Sequence, residues 1–265
     1  MIKLATWNVN SIKVRLPQVV DWLEREKVDA LVMQETKTVD ELFPREAFNA
    51  AGFECLFCGQ KTYNGVALVT RKSAWSAVQN PVLNLPNYPD EQKRFIAADL
   101  THVSGRRLAF AGAYFPNGQE VGCVKFFYKL DWIGALTRYM RSRIKAGEEI
   151  VLGGDFNIAP SPEDVWDPVA WKDPILVSEA ERGAWRVLLE AGLIDTWTLG
   201  LHAPETYSWW DYRQAGFEKN HGLRIDHLLA TPKTAAAVSQ VWIDTAPRAL
   251  EKPSDHAPVV MTLEA

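Results

Sequence analysis

Acidic and amide side chains follow or precede several apolar runs of the sequence. The segments are Trp7-Asn8-Val9-Asn10, Met33-Gln34-Glu35, Gly154-Asp155-Phe156-Asn157, Arg224-Ile225-Asp226-His227 and Ser254-Asp255-His256. Each segment taken alone is most simply a strand end or a helix cap, because Asn and Asp are common at both. Several such groups beside buried strands are harder to explain in that way, because a buried carboxylate is costly unless it is paired or metal-bound. The pattern predicts one acidic pocket that contains a histidine.

A pocket of this kind is suited to a divalent cation and to phosphoryl chemistry. Mg²⁺ takes oxygen ligands, usually one or two carboxylates together with water and substrate phosphate. Hydrolysis of a phosphate ester needs charge neutralisation, an oriented water and a base. We therefore expect Mg²⁺ as the cofactor, with Mn²⁺ as a substitute ion.

The elements that must position these groups alternate between strands and helices. Apolar and β-branched runs predict strands at residues 2–9, 30–33, 53–58, 64–70, 94–100, 107–115, 149–152, 207–210, 223–229, 241–244 and 257–263. One-sided apolar spacing predicts helices around residues 16–23, 126–144, 178–192 and 234–238, the third opening with a Ser178-x-x-Glu181 capping box. Hairpin and crossover connections together predict an α/β (α+β) sandwich of two mixed sheets with helices outside.

The composition is that of an ordinary globular protein. The 265 residues are 47% hydrophobic and 23% charged, which is enough for one large core in one domain or in two tightly fused halves. The formal net charge of −4 argues against a wholly basic surface, although it is compatible with a local basic rim. With three cysteines and no long apolar span or leader, we expect a reduced, cytoplasmic protein outside the membrane.

Cys55-x-x-Cys58 has the spacing of half a zinc site. The remaining cysteine, Cys123, stands alone, and no histidine lies nearby at zinc-finger spacing. We interpret the pair as strand-packing residues.

Seven motifs in order along the chain carry a family resemblance. They are Trp-Asn-Val-Asn (7–10), Gln-Glu-Thr-Lys (34–37), Tyr-Asn-Gly-Val-Ala (63–67), Tyr-Phe-Pro-Asn-Gly (114–118), Gly-Asp-Phe-Asn-Ile-Ala (154–159), Gly-Leu-Arg-Ile-Asp (222–226) and Ser-Asp-His-Ala-Pro (254–258). Together they resemble the exonuclease III family of abasic-site endonucleases. The resemblance implies a four-layer α-β-β-α sandwich and one domain over residues 1–265. It also implies a Mg²⁺-dependent DNA-repair nuclease that acts on duplex DNA at abasic sites, at damaged or recessed 3′ ends, or at both, and we expect a monomer.

The same resemblance assigns roles in the metal site. Glu35 is similar to the main Mg²⁺ ligand, and Asn8 and Asp255 are similar to residues beside the metal. Whether one or two ions act stays open.

The resemblance also assigns catalytic roles. Asp155 resembles the residue that orients or deprotonates the attacking water, and Asn157 the residue that holds this water and the phosphate. His256 resembles the group that contacts the scissile phosphate, with Asp226 fixing its tautomer and favouring its charged form. Tyr114 resembles a phosphate contact, although an ordinary strand-end aromatic is the alternative.

Substrate-binding residues are expected in three segments. Asn117 lies near Tyr114 on the same turn. The run Trp209-Trp210-Asp211-Tyr212-Arg213 combines aromatics with a cation, which suits contact with phosphates and exposed bases. By resemblance, Trp209, Leu223 and Ile225 lie at the pocket for an abasic or terminal sugar, with Arg213 in the DNA-contacting loop. Trp210 and Tyr212 could equally be core residues under a solvated loop.

One segment departs from the pattern of relatives that incise abasic sites. Residues 174–177, Pro-Ile-Leu-Val, are bulky where those relatives are small or polar. If Leu176 projects into the sugar pocket, it would hinder a flipped abasic nucleotide and leave a 3′ terminus accessible.

Two other functions remain open. One is a phosphatase of the same fold that acts on lipid or inositol phosphates, since fold does not decide substrate. The other is a catalytically silent nucleic-acid-binding regulator, which should have lost the catalytic groups that this chain retains.

Overall fold

A computed structural model describes all residues from 1 to 265, and strands form the middle of the molecule. The strands are β1 (Ile2–Asn8), β2 (Ala30–Gln34), β3 (Phe53–Cys58), β4 (Val66–Arg71), β5 (Trp75–Leu83), β6 (Phe95–His102), β7 (Arg107–Tyr114), β8 (Ile150–Asp155), β9 (Ile194–Asp195), β10 (Trp209–Trp210), β11 (Gly222–Leu223), β12 (Asp226–Ala230), β13 (Val238–Ile243) and β14 (Val259–Leu263). The helices are α1 (Ile12–Glu26), α2 (Arg45–Ala50), α3 (Val124–Lys145), α4 (Glu179–Leu189) and α5 (Pro232–Ala235).

Twelve of these strands form two six-stranded mixed sheets. The first has the order β13-β14-β1-β2-β4-β3 and the second has the order β5-β6-β7-β8-β12-β9, while β10 and β11 form a separate ribbon. β1 and β2 are parallel and are joined through α1, and β7 and β8 are parallel and are joined through α3. A parallel pair needs such a crossover connection, and the remaining pairs are antiparallel.

Apolar side chains fill three interfaces between the layers. The inner faces of the two sheets pack against each other through residues such as Val32 and Phe110. α3 and α4 cover the outer face of the second sheet, where Trp132 and Trp185 are buried. α1 and α2 cover the outer face of the first sheet. The layer order is therefore helix, sheet, sheet, helix, which confirms the predicted four-layer sandwich.

Two glycines of the second sheet face the first sheet. A β-carbon at Gly112 of β7 would lie 2.7 Å from the β-carbon of Val32, and one at Gly153 of β8 would lie 3.1 Å from Cγ2 of the same valine. No side chain fits at such distances without a shift of the neighbouring atoms. These glycines therefore let the central strands, which end at the polar segments, lie close together.

Several element boundaries differ from those predicted. The predicted strand over residues 223–229 is correct except at Arg224 and Ile225, which separate β11 from β12. The backbone N–H of Arg224 donates to the backbone oxygen of Asp164 at 2.9 Å, and its buried guanidinium forms ion pairs with Asp164 (2.6 Å) and Asp195 (3.1 Å). The predicted strand over 207–210 is reduced to β10. β5 and α2 were not predicted, and the helix predicted at 234–238 lies at Pro232–Ala235. None of the helices combines the length and the hydrophobicity that crossing a membrane would require.

Candidate active site

The polar segments meet at one edge of the two sheets. The parallel strands β1 and β2 end there at Asn8 and Gln34, and Glu35 follows directly. In the second sheet, Asp155 at the end of β8 is paired in register with Tyr114 of β7 and with Asp226 of β12. Because parallel strands end on the same side of a sheet and β12 runs the other way, all these residues come to the same edge.

Asn8 connects the carboxylates of the two sheets. Its amide nitrogen donates to Oε1 of Glu35 at 2.8 Å and to Oδ2 of Asp155 at 2.9 Å, and its amide oxygen accepts from the backbone of Asn10 at 3.0 Å. Asn8 is fully buried. The predicted metal-site residues Glu35 and Asn8 therefore lie beside the predicted catalytic residue Asp155.

Asp226 and His256 form a hydrogen-bonded pair next to this cluster. Nδ1 of His256 donates to Oδ2 of Asp226 at 2.8 Å, and the same oxygen accepts from the hydroxyl of Ser208 at 2.7 Å. Nε2 of His256 therefore points the other way, and it lies 3.7 Å from Oδ2 of Asp155. The Asp226 carboxylate therefore holds the imidazole ring in a fixed orientation, with Nε2 towards Asp155.

The electrostatics of this pair favour a charged imidazole. Burial alone would lower the pKa of His256, but the negative charges of Asp226 and Asp155 outweigh it and raise the pKa to about 10. Burial raises the pKa of Asp155 to about 7, although the charge of His256 acts in the opposite direction. A carboxylate with a raised pKa is a stronger base than an exposed one, and a protonated imidazole beside it can act as a donor.

The donor set fits a hard divalent cation. One ligand atom from each of Glu35, Asp155 and His256 lies within 4.8 Å of the others. Two of these three groups are carboxylates, the ligands that Mg²⁺ prefers, whereas Nδ1 of the histidine already has a carboxylate partner. The ammonium of Lys37 lies 2.7 Å from Oε2 of Glu35, so a positive charge already neutralises part of the cluster. Glu35 adopts a left-handed backbone conformation with φ of 53°, which is uncommon for a non-glycine residue.

Tyr114 lies beside the carboxylates of Glu35 and Asp155. Burial, with the charges of Glu35 and Asp155, raises the pKa of Tyr114 well above its usual value, so the phenol stays neutral and can donate a hydrogen bond. The guanidinium of Arg94 lies over the ring, 4.9 Å from its centre.

Asn157 and Asn117 face each other at the same edge. The amide nitrogen of Asn117 donates to Oδ1 of Asn157 at 3.2 Å, and the amide nitrogen of Asn157 donates to the backbone oxygen of Phe115 at 3.0 Å. The backbone N–H of Asn157 donates to Oδ1 of Asp155 at 2.9 Å. The loops after β7 and β8 are therefore joined directly beside the carboxylate cluster.

Asp255 lies outside the set of three close ligand atoms. Its carboxylate accepts from the amide of Asn10 at 2.9 Å and from the indole of Trp209 at 3.1 Å. The ammonium of Lys37 donates to the other end of the Asn10 amide. Asp255 thus contacts the metal-site cluster through Asn10 and Lys37.

Four of the predicted substrate-binding residues form one apolar cluster. Leu176, Leu223 and Ile225 are buried together, and Trp209 packs against them. Leu176 is only 5% exposed and adopts a φ of 76°. Arg213 is not part of this cluster, because its guanidinium is largely exposed and pairs with Asp211 at 2.8 Å.

Sequence reasoning missed four residues that support the site. Lys37 lies within a quoted motif, yet its type alone gives no role. Ser208, Arg94 and Lys129 have no local pattern that distinguishes them, because their partners are distant in sequence.

Comparisons with known proteins agree with this geometry. The model of the endonuclease/exonuclease/phosphatase family matches residues 5–256. Exodeoxyribonuclease III of Haemophilus influenzae is 34% identical over 270 residues, which cover 97% of this chain and 98% of that protein. Among solved structures, a 3′ phosphatase from Neisseria bound to a product DNA hairpin is 42% identical, with a TM-score of 0.94 and full coverage of both chains. An AP endonuclease from Archaeoglobus fulgidus is 33% identical, with a TM-score of 0.92 and full coverage of both chains.

Proposed function

The chain belongs to the endonuclease/exonuclease/phosphatase family, and on this premise we propose that it is a Mg²⁺-dependent DNA-repair nuclease of exonuclease III type. Its substrates are phosphate esters at the 3′ termini or abasic sites of duplex DNA. The observation that carries the proposal is the convergence of Glu35, Asp155 and His256 at one edge, with Asp226 holding the histidine. This set combines an acidic metal site with a base and a charged donor.

The metal would be held by Glu35, with Asn8 alongside, and when bound it supplies charge neutralisation at the phosphate oxygens. Asp155 accepts the proton of the attacking water, and its raised pKa makes it a competent base near neutral pH. His256 donates from Nε2 to a phosphate oxygen, while Asp226 holds Nδ1 and stabilises the positive charge. The developing negative charge is thus met by a fixed cation rather than by reorganising water.

Three further side chains hold the phosphate in this proposal. Tyr114 donates from its neutral phenol, and Asn157 and Asn117 present amide groups from adjacent loops. Asn157 is next to the base, since its backbone binds the Asp155 carboxylate. It is therefore suited to orient the attacking water as well as the phosphate.

Substrate choice in this proposal depends on the apolar cluster of Leu176, Leu223, Ile225 and Trp209. Leu176 is almost completely buried against Leu223 and Ile225, which the family resemblance assigns to the sugar pocket. In this proposal its side chain occupies space that a flipped sugar would need. We therefore propose that the protein acts mainly on 3′ ends, as a 3′ phosphatase and 3′→5′ exonuclease. Arg213 is exposed on the loop after β10, and in this proposal it contacts the phosphate backbone of the DNA.

Residues 1–265 are proposed to act as one domain, as a monomer, in the cytoplasm. The site supports the single domain, because Asn8 and Glu35 come from the first sheet and Asp155 and Asp226 from the second. Neither half of the chain contains a complete site.

The test uses end-labelled duplexes that carry either one internal abasic analogue or a recessed 3′ end bearing a phosphate, with Mg²⁺ or with EDTA. We expect Mg²⁺-dependent release of phosphate from the 3′ end and little incision at the internal abasic analogue. A soluble inositol phosphate is assayed in parallel, and its preferential hydrolysis would favour the non-DNA phosphatase. No turnover of any substrate would favour the silent regulator.

Leu176→Gly tests the proposed origin of the preference. Removal of the side chain opens the cluster, so incision at the abasic analogue should rise by about tenfold or more, while 3′-phosphate release should change little. The same weak incision in wild type and variant would show that Leu176 does not control substrate choice.

A further inference from the structure

A fully buried ammonium group lies directly behind the Asn117 and Asn157 loops. Lys129, on the inner side of α3, has no exposed surface, and Glu181 of α4 is equally buried and forms its ion pair. The ammonium also donates to the backbone oxygen of Asn157 at 2.7 Å and to that of Asn117 at 3.1 Å. All three of its N–H donors therefore have acceptors.

These acceptors belong to three separate segments of the site. Asn117 is in the loop after β7 and Asn157 is in the loop after β8, while Glu181 is in the first turn of α4. The Glu181 carboxylate in turn accepts from the backbone N–H of Leu176 at 3.1 Å and from the hydroxyl of Ser178 at 2.6 Å. The ion pair thus joins both asparagine loops to the segment that carries Leu176.

The stem of Lys129 also shapes the loop above it. Gly118, which follows Asn117, has a φ of 92°, and a β-carbon there would lie 3.1 Å from Cδ of Lys129. The loop therefore closes tightly over the lysine. The lysine thus contacts this loop through its stem as well as through its ammonium.

A buried ion pair is not needed to stabilise a core. The desolvation of two charges offsets much of their attraction, and apolar residues of similar volume are often equally stable at such positions. The specific effect of this pair is geometric, because Lys129 binds the backbone carbonyls of Asn117 and Asn157. The side chains of these two asparagines hydrogen-bond to each other at the edge of the site.

We propose that Lys129 is a positioning residue for phosphate-ester hydrolysis. It holds the backbones of Asn117 and Asn157 so that their side chains meet the phosphate and the attacking water. This inference rests on the proposed roles of those two asparagines. Because displacement of reacting groups by about 1 Å can lower the rate about a hundredfold, loss of the tether should act on kcat.

The test compares Lys129→Met with unchanged Lys129 in a Glu181→Gln background. In the double variant, Glu181→Gln removes the charge that a lysine substitution would otherwise leave unpaired. The Glu181→Gln single variant keeps both lysine–carbonyl bonds but buries an ammonium without a counter-ion, so each kcat is measured at a temperature at which that variant is folded. Lys129→Met then removes the three donors at nearly constant volume. Leu136→Ala, on the same helix and in the core beneath the second sheet, is the control for loss of stability alone.

We expect Glu181→Gln, which keeps both lysine–carbonyl bonds, to retain more kcat on a 3′-phosphorylated duplex than the double variant, and losses are counted from the kcat of Glu181→Gln. The Lys129→Met/Glu181→Gln variant should lose about 10-fold to 100-fold in kcat, with KM changed by less than about threefold. Leu136→Ala should lower the melting temperature with little change in kcat at a temperature where it is folded. Equal kcat for Glu181→Gln and the double variant, or the same loss in Leu136→Ala, would overturn the proposal.

A second variant covers failure of the methionine variant to fold. Lys129→Gln in the Glu181→Gln background keeps an amide that can donate to the two carbonyls. Its kcat should lie between that of Glu181→Gln and that of the methionine variant. If the methionine variant does not fold, the kcat of the glutamine variant should still lie below that of Glu181→Gln. A kcat equal to that of Glu181→Gln would count against a role for the ammonium. Failure of the proposed function would instead be seen as an inactive wild type.

Discussion

At the scale of single residues, the site places one imidazole between two carboxylates. Asp226 binds Nδ1 of His256, and Asp155 lies 3.7 Å from Nε2. Either carboxylate alone would favour the charged ring, and both act against the effect of burial. In the proposed mechanism, the histidine is therefore a cation over the pH range in which Asp155 acts as the base.

Asp226→Asn should shift the alkaline limit of activity to lower pH. The pKa of His256 is raised to about 10 chiefly by Asp226, so the imidazole of the variant loses its proton as the pH rises through a lower value. We expect kcat/KM at pH 9 to fall by about tenfold or more relative to its value at pH 7. Ser208→Ala, which leaves the Asp226 charge in place, is the control for the pH–rate profiles. Superimposable profiles for wild type and Asp226→Asn would contradict this account.

Residue types alone predicted one acidic pocket, because several carboxylates beside buried strands are costly unless they are paired or metal-bound. They did not identify Lys129 or Lys37. A lysine within an amphipathic helix normally faces solvent, and its burial depends on Glu181, a partner 52 positions away in the sequence. Tertiary ion pairs of this kind leave no local pattern.

At the scale of elements, strands with continuous apolar runs were predicted well. The bounds of β3 are as predicted, and α4 begins at the predicted capping box. β5 was missed because it lies at a sheet edge, contains Pro81 and has a largely exposed middle, so its apolar alternation is weak. The break between β11 and β12 was missed because it depends on Arg224 and its two distant carboxylate partners.

The capping box makes the start of α4 a sensitive point. The hydroxyl of Ser178 contacts Glu181, which also accepts the Leu176 backbone N–H. Ser178→Ala should lower the free energy of unfolding by about 1 kcal/mol, measured by urea denaturation. Ser73→Ala, at an exposed serine in a turn, should change it by less than about 0.5 kcal/mol. Equal effects would show that the cap contributes nothing specific.

At the scale of the whole molecule, stability should depend on a neutral buried histidine. His227 of β12 accepts from Arg224 at 2.9 Å through Nδ1 and donates to the backbone oxygen of Ile158 at 2.9 Å through Nε2. Burial, reinforced by the Arg224 charge, lowers the pKa of His227 well below its usual value. The folded protein therefore leaves this ring unprotonated at mildly acidic pH.

The sign of the resulting pH dependence follows from proton uptake. Below about pH 6.5 the unfolded histidine binds a proton that the folded one does not, so stability from this group is lost as the pH falls. When the pH falls from 7.5 to 5.5, the free energy of unfolding of the wild type should decrease by roughly 1 kcal/mol more than that of His227→Gln, measured by urea denaturation. Parallel losses in the two proteins would contradict the assignment of a neutral His227.

The site is built from strand ends of both sheets. The ends of β1 and β2 come from the first sheet, and the end of β8 and the start of β12 come from the second. The glycines at positions 112 and 153 allow the close approach of the sheets, and Asn8 then bridges Glu35 and Asp155. Catalysis in this account depends on that junction between the sheets. A change that separates them should lower activity before it unfolds the protein.

The central claim is that Asp155 is the base of a metal-dependent phosphate-ester hydrolase. The most direct measurement is the single-turnover rate of phosphate release from a 3′-phosphorylated duplex, with Mg²⁺ or EDTA, for wild type and Asp155→Asn. We expect a Mg²⁺-dependent wild-type rate and a loss of about a hundredfold or more in Asp155→Asn, with the variant still folded and still bound to DNA. A wild-type rate in Asp155→Asn, or a wild-type rate that EDTA does not affect, would contradict it.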